Sequence, residues 1–408
     1  MSLEPMTAPK PALRYLLLPE LKEMTPGNAI EGYLTCFFNQ DFSNPMEVLD
    51  KAALRQADRA ARMEKTDWQL LQKLRSDGFQ LLLPDVQKFR TIAAGLQERF
   101  RTEINQGRFD DAIVTAKTMF AMSRHLSEQS TIISDLVGIA IAHIAIGPLQ
   151  DMLERPGCPN LYWALTNLPN PLVPLDKGLE GERLIIQSEL SDIDDAKPMS
   201  PAQLKKLIEH IDQIRQFDMD SNKEKTQAWL DERTKDHVLM ASARTRLVEY
   251  GIPEERLKKF PAEQILLLDQ KRALEENRDE IMKLMNLPTW QMMELSEKIE
   301  RDKTKEKPLL GSLTSALKKI RIAHGRLEQR IALLRHIEAI RLYAAEHQGK
   351  LPEKLTDITV PLPVDPFTGK PFRYVLDGTT AHLRGNPPRG VESIAVYNLH
   401  YEITIRKP

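Results

Sequence analysis

The chain has 408 residues and a mass of 46.7 kDa, room for two or three domains at about 150 residues each. Lys plus Arg is 57 and Asp plus Glu is 58, so the net charge is −1, which excludes the basic excess expected of a general nucleic-acid binder. Aromatics at 6% and only 18 glycines disfavour an all-β fold, and the prevalence of Leu, Ala, Glu, Lys, Arg and Gln favours helix.

Residues 1–27 are proline-rich and read as an extended N-terminal arm. Helical spacing follows over 46–75, with Met46, Val48, Leu49, Ala52 and Leu54, and Asn44 before Pro45 fits an N-cap ahead of a first-turn proline. Asp85 opens the next helix, which presents Val86, Phe89, Ile92, Ala93, Leu96 and Phe100 on one face and ends near Gly107. Another helix runs from Phe109 to about Leu126, with Ile113, Ala116, Phe120 and Ala121 inward. Residues 132–149 are apolar nearly all round and stop at Pro148. They contain Asp135, His143 and two glycines, so they read as the centre of a helical domain and not as a bilayer span, and Ile139, Ile141 and Ile144 are expected to be buried.

Prolines then break the helical pattern over 153–183, where Tyr162, Trp163, Leu165 and Leu168 are expected to pack the turns down. Ser200–Pro201 is a helix start, followed by Leu204, Leu207, Ile208, Ile211 and Ile214. Residues 201–306 are highly charged, and Pro253, Pro261 and Pro288 divide them into separate helices with solvated faces. A long amphipathic helix over 313–347 carries Leu317, Ile320, Leu327, Ile331, Leu334, Ile337 and Ile340. Phe372–Leu376, Asp377–Gly378 and Thr379–Leu383 read as a β-hairpin, and alternating Tyr397, Leu399, Tyr401, Ile403 and Ile405 as a final strand.

These elements predict a mainly α fold: an irregular helical bundle or solenoid closed by a small C-terminal α+β unit, in which one long helix covers a three-stranded antiparallel sheet. The expected divisions are 1–27 (arm), 28–200 (helical domain), 201–312 (charged helices) and 313–408 (α+β unit), with strands only after about residue 370.

LQERFRTEINQGRFDDAIVTAKTMFAMSRHL resembles one tetratricopeptide repeat, with Gly107 at the turn, Phe109 at the aromatic position, and Ala112 and Ala121 where helices approach closely. No 34-residue period extends it on either side, so the resemblance implies one repeat-like hairpin and not an array. The segment from IRLYAAEHQGKLPEKLTDI to PVDPFTGKPFRY is similar to the soluble head of a type II secretion pseudopilin, through Gly349, Leu351, Pro352, Asp365, Pro366, Gly369, Pro371, Phe372 and Tyr374. More than 300 residues precede it here, so it is read as a shared packing unit and not as a pilin. Over nearly the whole chain, PALRYLLLPELKEMTPGNA, INQGRFDDAI, LVGIAIA, PGCPNLYWALTNLPNPL, FPAEQILLLDQKRALEENRDEIMKLMNLP and PLPVDPFTGKPFRY resemble, in order, a family of uncharacterised exported proteins of planctomycete bacteria. The resemblance implies export behind a signal peptide and no particular activity. Met1–Ser2–Leu3 ahead of the proline-rich stretch reads as an added start joined to a mature N-terminus. The expected location is therefore the periplasm or cell envelope, with the cytoplasm as alternative.

Candidate site residues are few. The two cysteines, Cys36 and Cys158, exclude a disulfide scaffold and a cysteine-built zinc site; two free thiols are expected, with one bridge as the alternative. His336 and His347 lie three helical turns apart, too far to share one ion, and read as surface residues. His125, after Arg124 at a helix end, suits dipole stabilisation. Asp135 and His143 are two turns apart, and each is expected to find its own partner. Asp218–Asn222 starts like a calcium loop but has Lys223 where glycine belongs and Trp229 at the twelfth position, so that reading fails. Glu189, Asp192, Asp194 and Asp195 read as a solvated acidic run, and Asp365, with only Asp377 nearby in sequence, is the best single candidate for a metal ligand. Nucleophile-elbow, phosphate-loop and zinc-protease motifs are absent. The expectation is a non-enzymatic envelope protein that binds a protein or peptide partner through a helical groove, without cofactor, metal or nucleic acid. The alternatives are an envelope hydrolase with a site assembled from distant residues, and an accessory component of a secretion or pilus-like system.

Overall fold

A computed structural model describes residues 1–38, 49–78, 84–216, 224–301, 309–310 and 315–406. The Asn44–Pro45 cap and the Asp218–Asn222 segment lie outside the described residues.

The chain opens with β1 (Ser2–Leu3), β2 (Thr25–Asn28), α1 (Ala29–Leu34), α2 (Lys51–Ala60), β3 (Met63–Lys65) and α3 (Leu71–Asp77). Three long helices follow: α4 (Pro84–Asn105), α5 (Phe109–Ser127) and α6 (Ile132–Leu153). Next come α7 (Tyr162–Thr166), α8 (Asp176–Glu189), α9 (Pro201–Gln216), α10 (Thr226–Arg233) and α11 (His237–Glu249). The remainder is α12 (Glu254–Leu257), α13 (Ala262–Met285), α14 (Thr289–Arg301), α15 (Ser315–Glu346), β4 (Arg373–Asp377), β5 (Thr380–Arg384) and β6 (His400–Ile405). The protein is thus mainly helical with a small mixed sheet at its C-terminal end.

Local chemistry sets many of these boundaries. The Asp50 side chain accepts from the Ala53 N–H at 2.7 Å and caps α2. Thr131 caps α6 through the Ser134 N–H, and Asp236 caps α11 through the N–H groups of Val238 and Leu239. Pro253, Pro261 and Pro288 stand immediately before α12, α13 and α14, where a missing N–H costs nothing. Gly107 turns α4 into α5 at φ +70°, a left-handed conformation that side chains resist.

The helical spacing over 46–75 does not persist. Residues 63–65 leave the helix as β3 and pair with β2, so strands also occur well before residue 370. Asn28 organises this crossing: its side chain caps α1 at Ile30 and bonds both the N–H and the carbonyl of Asp67. α6 does not stop at Pro148 but runs through it to Leu153. Proline there leaves the Ile144 carbonyl, four residues back, without its helical donor. The Gln97 side-chain amide supplies one at 3.3 Å. Ile139 and Ile141 are buried, whereas Ile144 is only half-buried.

The chain forms two compact units. One comprises 1–70, 82–181 and 322–408, the other 71–81 and 182–321. These divisions differ from those expected at 27, 200 and 312. Within 313–408, residues up to Arg321 fall in the second unit and those from Ile322 in the first.

In the first unit α4, α5 and α6 pack together, and α5 between them is buried along most of its length. The sheet runs β1-β6-β5-β4. It has four strands and not three, and it is mixed: β6 pairs antiparallel with β5, but parallel with the N-terminal β1 through Ser2↔Thr404 and Leu3↔Ile405. The edge of β6 is filled by a segment from the other end of the sequence. Ala381, Leu383, Tyr401 and Ile403 point into the core, and Leu334, Ile337 and Ile340 of α15 are fully buried. The second unit packs Leu207, Ile211, Leu230, Leu247, Ile265 and Leu267 among others into its own core. A bidentate Arg246–Asp269 pair at 2.8 and 2.7 Å joins α11 to α13 there.

Candidate functional site

Most of the buried polar groups of the first unit serve its folding. Glu338 and Arg341, one turn apart on α15, are both fully buried and paired at 2.9 Å. Glu338 also accepts from the Asn160 side chain at 2.8 Å and the Leu161 N–H at 2.9 Å. Arg341 donates onward to the carbonyls of Cys158 at 2.8 Å and Glu4 at 3.1 Å. The pair therefore ties the N-terminal arm and the PGCPNLYW segment to the long helix. Asp365 is likewise occupied. Its carboxylate accepts from the Gln329 side chain, the Phe367 N–H, and both the N–H and side chain of Asn386, at 2.7–3.0 Å. Four donors fill the acceptor sites of one carboxylate, so Asp365 holds its turn and has no capacity for a metal. Asp377 is exposed at the end of β4. In the same region the Tyr374 hydroxyl donates to the Pro352 carbonyl at 2.6 Å, which closes the loop after α15.

The histidines fall into two groups. His336 is not a surface residue: it is buried, its Nδ1 lies 2.8 Å from the Ala332 carbonyl, and its ring meets Phe372 edge-on. Burial lowers it to about 4. His125 does not act as a charged partner of its helix end. Burial, and then Arg124, lower it to about 4, and its Nδ1 faces the Tyr33 hydroxyl at 3.1 Å. His143 is held at about 3 by burial and by Arg330, whose guanidinium lies 3.5 Å from its Nδ1. His347 is exposed and stacks on Tyr343. A second kind of site lies on the sheet, where His382, His400 and Glu402 place their ligand atoms within 4.8 Å of one another.

Asp135 and His143 are not a pair. Asp135 is fully buried, and among the described residues neither carboxylate oxygen has a hydrogen-bond partner. Burial, reinforced by Asp176 and Glu128, pushes it up to about 9, so it is protonated at neutral pH. Gly178 and Gly181, three residues apart on one face of α8, admit this approach: a methyl group at Gly178 would overlap Asp135, and one at Gly181 would overlap the Ser130 carbonyl. Because this acid is raised in the folded state above its unfolded value near 4, its effect on stability is most favourable below about pH 4 and is lost as pH rises towards 9. Asp135→Asn removes that dependence. The variant's thermal stability relative to the parent is expected to improve steadily between pH 5 and pH 8, and a pH-independent difference would contradict the protonated state.

The acidic run of the second unit is dispersed into separate pairs. Glu189 meets His210 at 2.8 Å, Asp194 accepts from the Ala196 N–H at 2.6 Å, and Asp195 pairs with Arg272 at 3.0 Å. Cys36 and Cys158 are both buried free thiols, each pushed up to about 12 by burial.

Open recesses are lined by described residues in each unit. One in the second unit is formed by Tyr250, Arg272 and a row of carboxylates on α13. Another, of about 390 Å³, lies at the turn between α4 and α5. It is lined by Tyr15, by residues 107–111 and by Gly157 and Pro159. Asp110 and Asp111 occupy the first turn of α5, where the helix dipole favours them. Asp111 pairs with exposed Arg108 at 2.6 Å. Burial, followed by a hydrogen bond to Asp110, raises the Tyr15 phenol. The recess thus gathers two aromatic rings and two carboxylates, with Arg14 over the Tyr15 ring at 5.3 Å and Arg108 on Asp111. The Gly107 turn was evident in the sequence, but Tyr15 and Gly157 come from segments about a hundred residues and fifty residues away, and no local pattern signals them.

No protein-family model, curated protein or solved structure matches the chain. α6 is long and apolar enough to cross a membrane by length and composition, and 67% of its most apolar window is buried within the protein.

Proposed function

We propose that the protein is a non-enzymatic binding protein of the cell envelope that takes a basic segment of a peptide or protein partner at the turn that joins α4 to α5. The observation that carries this reading is the lining of the recess there: Tyr15 and Phe109 beside Asp110 and Asp111. A Lys or Arg side chain gains from both kinds of neighbour, because an aromatic face attracts a cation and a carboxylate accepts its hydrogen bonds. The exposed Arg108–Asp111 pair contributes little to folding, so an incoming guanidinium can replace it at small cost. The tetratricopeptide-like hairpin and the exported-family resemblance are consistent with such a role.

The test is fluorescence anisotropy with short unstructured peptides that carry Lys or Arg, and with matched peptides that carry Glu. Basic peptides are expected to bind, and Asp110→Asn with Asp111→Asn to weaken them about tenfold or more, the scale of one hydrogen bond to a charged group. Equal binding of acidic and basic peptides, or affinity unchanged in the double variant, would refute the reading.

A further inference from the structure

Beyond the recess, we infer that His382, His400 and Glu402 form a site for a divalent transition ion such as zinc on the outer face of the C-terminal sheet. β5 and β6 are antiparallel neighbours in which His382 stands opposite Glu402 and Arg384 opposite His400. Residues two apart on a strand share a face, so these four side chains project to one side. Their neighbours Ala381, Leu383, Tyr401 and Ile403 point the other way into the core, which fixes the histidines on the outer side.

The distances suit one ion. His382 Nδ1 lies 3.0 Å from His400 Nε2 and 3.8 Å from a Glu402 carboxylate oxygen. Zinc bonds of 2.0–2.2 Å at a tetrahedral angle place donor atoms roughly 3.3–3.5 Å apart. These two separations bracket that value, and the ligand atoms of all three residues lie within 4.8 Å of one another, so side-chain rotations can bring them onto one centre. In the absence of an ion the two ring nitrogens can share a single proton, and a metal replaces that proton without moving the strands. Two imidazoles and a carboxylate form a donor set that favours zinc, copper or nickel over calcium or magnesium. Ligands on paired strands are held more precisely than ligands on loops. Arg384 on the same face is the one opposing charge among these four, and Glu402 balances it. Three protein donors leave a fourth position open to water or to a group from another molecule.

The experiment is a zinc chloride titration of the untagged full chain by calorimetry, repeated with cobalt chloride and visible absorption. One ion per chain at this site is expected. His382→Ala and His400→Ala should each weaken it by at least about tenfold, the lower end of the loss seen even for groups that only support a ligand. Glu402→Gln should weaken it as well. All three positions lie on the outer face, so circular dichroism should be unchanged and a loss of binding is not a loss of fold. Zinc affinity and stoichiometry equal to the parent's in the His382→Ala, His400→Ala double variant would overturn the assignment, as would failure of the parent to bind zinc. Peptide binding at the α4–α5 recess is a separate property, and its failure would leave this result intact.

Discussion

Arg341→Ala is expected to destabilise the protein by about 3–5 kcal/mol, the usual cost of leaving one member of a buried ion pair alone. Both partners are fully buried, so loss of the guanidinium leaves a buried carboxylate without its counter-charge. Glu338 would keep its bonds from Asn160 and Leu161, but it would have to carry an uncompensated charge or take up a proton. The carbonyls of Cys158 and Glu4 would lose their donor at the same time. Urea unfolding at neutral pH measures the cost. Replacing both residues together, Glu338→Leu with Arg341→Met, should recover part of it, because two apolar groups leave no buried charge. A single variant that loses less than about 1 kcal/mol would place the pair in contact with solvent and would contradict its structural role.

Ile141→Ala should cost about 2–4 kcal/mol, through lost transfer energy and the cavity left behind. Ile141 lies at the middle of α6 with no exposed surface, and Ala142, Ala145 and Ile146 around it are equally buried. A helix so placed has no neighbour free to collapse into the gap. Ile144→Ala, on the half-buried side of the same helix, is expected to cost clearly less. Equal costs at both positions would show that α6 is not oriented as described.

Where the two ends of the chain meet, local pattern is silent. The periodicity of α4 and α5, the continuous apolar run of α6 and the alternation of β5 and β6 were legible, because each depends on neighbours within a few residues. The fourth strand was not, because β1 is two residues long and its partner β6 lies about four hundred residues later. The long helix misled in an instructive way. Leu334, Ile337 and Ile340 predict one buried stripe, yet His336, Glu338 and Arg341 on the remaining faces are buried too. Charged residues look solvated in sequence, and the mutual pairing of Glu338 and Arg341 with the partners supplied by Asn160, Leu161, Cys158 and Glu4 makes their burial tolerable. The same limit hid the candidate sites. His382, His400 and Glu402 converge only once the β5–β6 register is set, and Tyr15 reaches Asp110 only once the arm is folded down.

Hydrogen–deuterium exchange of the untagged protein, with and without a saturating basic peptide, tests the proposed binding most directly. Slower exchange confined to residues 107–111 and 155–159, with Tyr15 and its neighbours, is the predicted result. Protection that appears elsewhere, or exchange that is unchanged at millimolar peptide, would contradict the assignment of the α4–α5 recess as the binding site.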